Sequence, residues 1–282
     1  MTAWTVVVPV KSLTGAKTRL APELSPAERA ELARAFALDT IDAARTARSV
    51  RRVVVVSDEP AIERALRGVP DVDVVPEFGP RGLTAAIAHG IAVARSDATG
   101  SAPVTTADAG AAASRPAPSA RTADRGRGEG HQAVAVLLGD VPGLRPEQLD
   151  AALEVASRHP MAFVPDAEGT GTTLATASPG VPFAPHFGAD SAARHRAAGF
   201  ADLVAGHPGT VSPALRRDVD TARELAEAVA LGVGDRTAAV VRGLRGPDGR
   251  REDRAPWHPL EPSTAPTGAA TAPHGADRKA AS

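Results

Sequence analysis

Four short runs of β-branched residues, each nearly unbroken in its hydrophobicity, constrain this chain more than any other feature: residues 5–10, 52–56, 72–75 and 133–138. A strand with one face in water alternates apolar and polar residues. "TVVVPV" and "RVVVV" show no such alternation, so they predict a sheet covered on both faces. Helical patterns lie between the runs. Ser25, Pro26 and Glu28 form a capping box that starts an Ala/Leu-rich helix reaching about Ala47; "SDEP" at 57–60 starts a shorter one, and residues 83–95 have helical spacing. Strand and helix in alternation predict an α/β three-layer sandwich with a mostly parallel sheet.

Two segments depart from this pattern. Between residues 97 and 132 the one large aliphatic side chain is Val104, amid Ala, Ser, Thr, Gly, Pro and Arg. Such a stretch has too little to bury to offset its ordering entropy, and it predicts a disordered insertion. Residues 243–282 carry Leu244, Trp257 and Leu260 among Pro, Gly and charges, and predict a disordered tail. The expected domain is therefore 1–242, interrupted at 97–132. The chain has 32 Lys plus Arg against 33 Asp plus Glu, a net charge of −1, so nothing general draws it to nucleic acid or an anionic membrane. Any anion site must be local. Without cysteine there are no disulfides or thiolate metal sites, and without a membrane-length apolar run the expectation is a soluble, cytoplasmic protein.

Beyond the first strand the loop "KSLTGAKTRL" gathers Lys11, Lys17 and Arg19 around Gly15. Ligands of parallel sheets bind beyond the carboxyl ends of strands, where backbone N–H groups and cations can wrap a phosphate. A solvated basic loop would read the same way, and the first glycine of a P-loop is missing. "LLGDVPGL" delivers Asp140 at the end of another strand, as a Mg²⁺ ligand near phosphate or as a cap for a helix over 146–157. In "LRRDVDTAREL", Asp218 and Asp220 share a face if the segment is extended, and can converge on a cation. Asp220 could instead cap the helix over 221–231. The turn "DAEGTGTT" (166–173) offers N–H groups and hydroxyls from Gly169, Gly171, Thr172 and Thr173, while "HFGADSAARH" (186–195) offers Gly188 and a helix start at Ser191. His195, on that helix, reads as structural or surface rather than catalytic. Two phosphate-binding regions and three carboxylates, with no nucleophile motif, suit metal-assisted phosphoryl or nucleotidyl transfer.

In this order, "VVPVKSLTGAKTRL", "RGLTAAIAHG", "LLGDVPGL", "GTGTT", "FGADSAARHRAAG" and "DVDTAREL" resemble the guanylyltransferases that activate phosphoenolpyruvate or 2-phospho-L-lactate in coenzyme F-420 biosynthesis. The resemblance implies a nucleotide-diphospho-sugar transferase (Rossmann-like) fold. It also implies Mg²⁺ on Asp140, Asp218 and Asp220, and the three-carbon phosphate on Thr173, Gly188 and Ser191. GTP would contact Lys11, Gly15, Lys17, Gly82 and Leu83, the last two in an Arg81-Gly82-Leu83 turn on the guanosine side, with Lys17 and Arg19 catalytic. The chain departs from the family where Thr84 replaces an asparagine, where Thr173 is followed by Leu174, and in the length of its insertion. Phosphoenolpyruvate is the expected acceptor; 2-phospho-L-lactate, or a catalytically silent nucleotide-binding module, is the alternative.

Overall fold

The computed structural model describes residues 2–13, 15–78, 82–96 and 132–245. The insertion expected at 97–132 lies outside them except for Gln132, as do Arg81 and the tail beyond 245. The strands are β1 (Trp4–Pro9), β2 (Val50–Val56), β3 (Val72–Val75), β4 (Ala133–Leu137), β5 (Met161–Pro165), β6 (Thr172–Ala177) and β7 (Ala201–Asp202). They form one sheet in the order β3-β2-β1-β4-β6-β5-β7. β1 pairs in parallel with β2 and β4, β2 with β3, and β5 with β7. β6 runs antiparallel to both its neighbours. The architecture is the expected α/β one with a mostly parallel sheet; β5, β6 and β7 are additions to the four strands read from the sequence.

The helices are α1 (Pro26–Thr46), α2 (Pro60–Leu66), α3 (Leu83–Ser96), α4 (Pro146–Ala156), α5 (Ser191–Ala197), α6 (Leu203–Gly206), α7 (Pro213–Arg216), α8 (Ala222–Leu231) and α9 (Asp235–Arg245). The capping box of α1 forms as its sequence requires, Ser25 accepting from the Glu28 N–H and the Glu28 carboxylate from the Ser25 N–H. Successive residues of β1 divide between two cores, which makes three layers. Val6 and Val8 pack with Ile41, Leu149 and Leu153 of α1 and α4, whereas Val7 packs with Ile87 and Ile91 of α3. A third cluster joins Leu20, Leu32, Phe36, Val219, Leu225 and Val241. Asp39, buried on α1, accepts the N–H of Thr237 at 2.8 Å and so caps α9, which runs three residues past the boundary expected at 242. Among the described residues no helix is long and apolar enough to cross a membrane.

Gly90 lets α3 lie directly on the sheet. A methyl group there would overlap Val7 Cγ1 and lie 2.8 Å from Val56 Cγ2, both on buried, stiff β-branched side chains. Alanine gains about 1 kcal/mol of helix propensity over glycine, but overpacking a core costs about 1–3 kcal/mol. Gly90→Ala is expected to lower the urea midpoint, with a net loss of about 1 kcal/mol. An unchanged midpoint would mean that α3 is free to slide away from β1.

Candidate active site

The carboxyl ends of β1, β4 and β5 and the start of β6 share one edge of the sheet, and the charged motifs meet there. The loop after β1 is anchored where the Leu13 N–H donates to Glu59 Oε1 at 2.8 Å. Lys17 has a left-handed backbone (φ 53°, ψ 45°), a conformation that costs a non-glycine residue about 1 kcal/mol. The turn Thr18–Leu20 follows and buries Leu20. Lys17 Nζ donates to Asp140 Oδ2 at 2.6 Å and to Asp220 Oδ1 at 2.8 Å, with only 9% of the side chain exposed. Burial alone would lower the ammonium pKa; the two carboxylates outweigh it and hold the value above that of an ordinary lysine. Asp220 responds in the opposite sense. Burial pushes it up, but Lys17, followed by Arg19 and Lys11, brings it below the usual carboxylate range. All three cations of the opening loop therefore act on one carboxylate.

Asp140 follows β4 by way of Leu138 and Gly139, and its carbonyl accepts the Val219 N–H at 3.2 Å. That bond carries the 218–220 segment to the end of β4. Asp218 and Asp220 flank fully buried Val219, so the two acids do share a face. Asp218 is pushed up to about 7, first by burial and then by the charges of Asp140, Asp166 and Asp220. Neither Asp140 nor Asp220 is spent as a helix cap: α8 is capped by Thr221 with Glu224, and the N-cap position of α4 is Arg145. Asp140 Oδ1 is buried and has no hydrogen-bond partner among the described residues. Hard carboxylate oxygens, one of them without a hydrogen bond among the described residues, beside a carboxyl raised by burial and by like charge, fit a divalent cation.

The structure adds two acids that the sequence reading passed over. Oxygens of Asp166, Glu168 and Asp218 lie within 4.8 Å of one another. Asp166 accepts the N–H groups of Thr170 at 2.9 Å and Gly171 at 2.7 Å, so the turn's amides are occupied by its own aspartate rather than open to an anion. A side chain at Gly171 would collide with that carboxylate. Glu168 pairs with Arg217 at 2.7 Å, and Arg216 donates to the carbonyls of Pro165 and Asp166, tying the turn to the 216–220 segment.

Farther along the edge lie Thr173, in β6, and Ser191, at the start of α5. Both hydroxyls are buried and, among the described residues, without a hydrogen-bond partner. Gly188, at φ 105°, precedes α5 in a backbone region that favours glycine. His195 is fully buried, stacked on Phe163 with centroids 5.2 Å apart. Its Nε2 accepts the His186 N–H at 2.9 Å and its Nδ1 lies 3.0 Å from Thr172 Oγ1. Gly15 and Gly82 are exposed, and Leu83 packs on the α3 side of the sheet. No hydrogen bond or ion pair among the described residues joins these three to the carboxylates.

Comparison with known proteins adds an independent finding. The family model described as "Guanylyl transferase CofC like" matches residues 4–104. The chain is 43% identical over 268 residues to a phosphoenolpyruvate guanylyltransferase of Sanguibacter keddieii, covering 84% of each chain. It is also 43% identical over 241 residues to the protein of the same description from Streptomyces coelicolor, covering 86% of this chain and 97% of that one. Among solved structures, a protein described as a candidate nucleotide-diphospho-sugar transferase of Desulfovibrio desulfuricans is similar with 16% identity and a TM-score of 0.49, over 86% of this chain and 95% of that one.

Burial, then the neighbouring charges of His186 and Arg194, lowers the pKa of His195 from 6.5 to about 4. Between those values the unfolded chain binds a proton that the folded chain refuses, so stability is complete above about pH 6.5 and is lost as the pH falls toward 4. The loss attributable to this ring reaches about 3 kcal/mol at pH 4. Urea unfolding of the wild type and of His195→Leu is expected to show a difference in stability that shrinks by this amount between pH 8 and pH 4. A constant difference would contradict the neutral buried ring.

Proposed function

Since the chain belongs to the CofC-like guanylyl transferase family, we propose that it transfers GMP from GTP to phosphoenolpyruvate in the cytoplasm. The products are enolpyruvoyl-2-diphospho-5'-guanosine and pyrophosphate, within coenzyme F-420 biosynthesis. The observation that carries this reading is the bridge from Lys17 to Asp140 and Asp220, which unites three of the family-like motifs across 123 and 203 positions of sequence. The acceptor is the one named for the relatives, and the buried hydroxyls of Thr173 and Ser191 with Gly188 offer donors for its phosphate.

In the proposed step an oxygen of the acceptor phosphate attacks the α-phosphorus of GTP. The bond from that phosphorus to the oxygen bridging to the β-phosphate breaks, and pyrophosphate leaves with the bonding pair. Asp140, Asp218 and Asp220 would hold Mg²⁺, which when bound neutralises the mutual repulsion of acceptor and nucleotide phosphates. Lys17 and Arg19 balance the charge that grows on the leaving pyrophosphate, with Lys11 and Gly15 on the same loop facing the nucleotide phosphates. Gly82 and Leu83, at the start of α3, serve the guanosine end. No side chain has to remove a proton, because a phosphate monoester is already ionised at neutral pH. This accounts for a site without a catalytic histidine or serine. Positioning and charge neutralisation carry the catalysis.

Pyrophosphate release from GTP and phosphoenolpyruvate is expected to require a divalent cation and to stop when the cation is chelated. Asp140→Asn should abolish turnover with the urea midpoint still that of a folded protein, and Lys17→Met should lower kcat on the order of 100-fold or more. An Asp140→Asn enzyme of undiminished activity would remove that residue from the site. GTP binding without turnover on either phosphoenolpyruvate or 2-phospho-L-lactate would favour the silent nucleotide-binding module.

A further inference from the structure

The two buried, unpartnered hydroxyls of the acceptor region belong to different elements, Thr173 to β6 and Ser191 to α5. Their separation depends on how those elements are joined, and the joint is His195. One turn along α5 from Ser191, its ring contacts the two other parts of the region: Thr172 Oγ1 at the start of β6, and the His186 N–H in the segment leading to Gly188. Because Nε2 accepts from a backbone N–H, the neutral ring carries its proton on Nδ1 and donates it to Thr172. Both nitrogens are used, in one tautomer, with no capacity left for substrate. Phe163 stacks on one face, and Phe187 and Phe200 meet the ring edge-on at 5.7 and 4.8 Å, so the imidazole has little freedom to turn. The adjacent Arg194 donates to the carbonyls of Phe187 and Ala189, fixing the segment on either side of Gly188. The Ala192 N–H donates to Thr170 O at 3.0 Å and closes the same junction from below.

A bulge makes this contact possible. Val164 pairs with Leu174, but Pro165 pairs with Thr172, so one extra residue enters β6. By strict alternation Thr172 would face the side of Leu174, which packs with the α1 and α4 core. Instead it reaches His195, which is stacked on Phe163 of the opposite core. Bulges re-aim side chains in this way.

We propose that His195 is a positioning residue for the phosphorylated acceptor: a neutral strut that fixes the Thr173 hydroxyl relative to Ser191 and Gly188 without touching substrate itself. The inference rests on the proposed acceptor site, and kinetics for the two substrates separate one from the other. His195→Leu fills the space and removes both hydrogen bonds; Thr172→Val leaves the ring and removes only its partner hydroxyl. His195→Leu is expected to raise KM for phosphoenolpyruvate about 10-fold or more. KM for GTP, and kcat at saturating acceptor, should stay within about threefold of wild type. Thr172→Val should move the same constant in the same direction by less, and His195→Asn, which retains an N–H donor, should recover part of the loss. Calorimetric titration of phosphoenolpyruvate into each folded variant should follow the same order.

Unchanged acceptor KM in both folded variants would overturn the proposal, and so would an equal rise in both KM values, which marks a general structural defect. Should the wild type use 2-phospho-L-lactate instead, the acceptor reading falls and His195 is judged by the same constants on that acid. A wild type that neither binds nor uses either acid overturns the function and the strut together.

Discussion

Like charges crowded at one sheet edge repel, and the molecule is organised around opposing that repulsion. Two unit charges 4 Å apart near a protein surface interact by about 4 kcal/mol, and here burial, joined by the charges of Asp140, Asp166 and Asp220, pushes Asp218 up to about 7. A single ammonium within 2.8 Å of two of those carboxylates supplies the nearest compensation. Placing it there requires a left-handed backbone at Lys17, which local energetics alone would not choose. The conformation persists because the surroundings determine it. Leu20, three residues on, and Val219, between the two acids, are both fully buried in the third apolar cluster. Cation and anions are thus mounted on the same oily block, and the apolar packing of α1, α8 and α9 sets an electrostatic distance.

Much of this was readable in one dimension because the relevant signals are local. A valine run, a capping box and a proline at a helix start each act within a few residues, and β1 to β4, α1 and α4 follow from them. Asp218 and Asp220 were legible as a pair because extended backbone puts alternate residues on one face. What stayed hidden is tertiary. β6, "TTLATA", packs small and hydroxylated residues between two strands and carries no strong pattern of its own. Its first residues, the end of "DAEGTGTT", carry the signature of a loop. Asp166 looked like a turn residue, and only the arrival of the 216–220 segment makes it a neighbour of Asp218. His195 lies inside "FGADSAARHRAAG", yet that string does not announce its role, since its partners at 172 and 186 come from a bulge and a backbone N–H that no spacing reveals.

The reversed strand explains how one edge holds both the carboxylate cluster and the buried hydroxyls. A parallel neighbour of β5 would need a crossover of a dozen or more residues, whereas an antiparallel one needs only a short turn. Residues 166–171 are that turn, and they deliver an acid at one end and the Thr172–Thr173 hydroxyls at the other. Asp166 holds the turn shut through two backbone amides while its charge acts on Asp218. On the other flank, Thr170 accepts from Ala192 and Thr172 meets His195. The hairpin is therefore the mechanical link between the carboxylate cluster and the buried hydroxyls. A displacement of β6 along its neighbours would shift both at once, keeping the spacing between them while changing their distance from the opening loop. For a reaction that joins two phosphates, the distance most in need of control is the one between acceptor and nucleotide. Arg216 and Arg217, which lash the hairpin to the 216–220 segment, and Lys17, which reaches from the opening loop to Asp140 and Asp220, hold hairpin, acidic segment and opening loop in one arrangement.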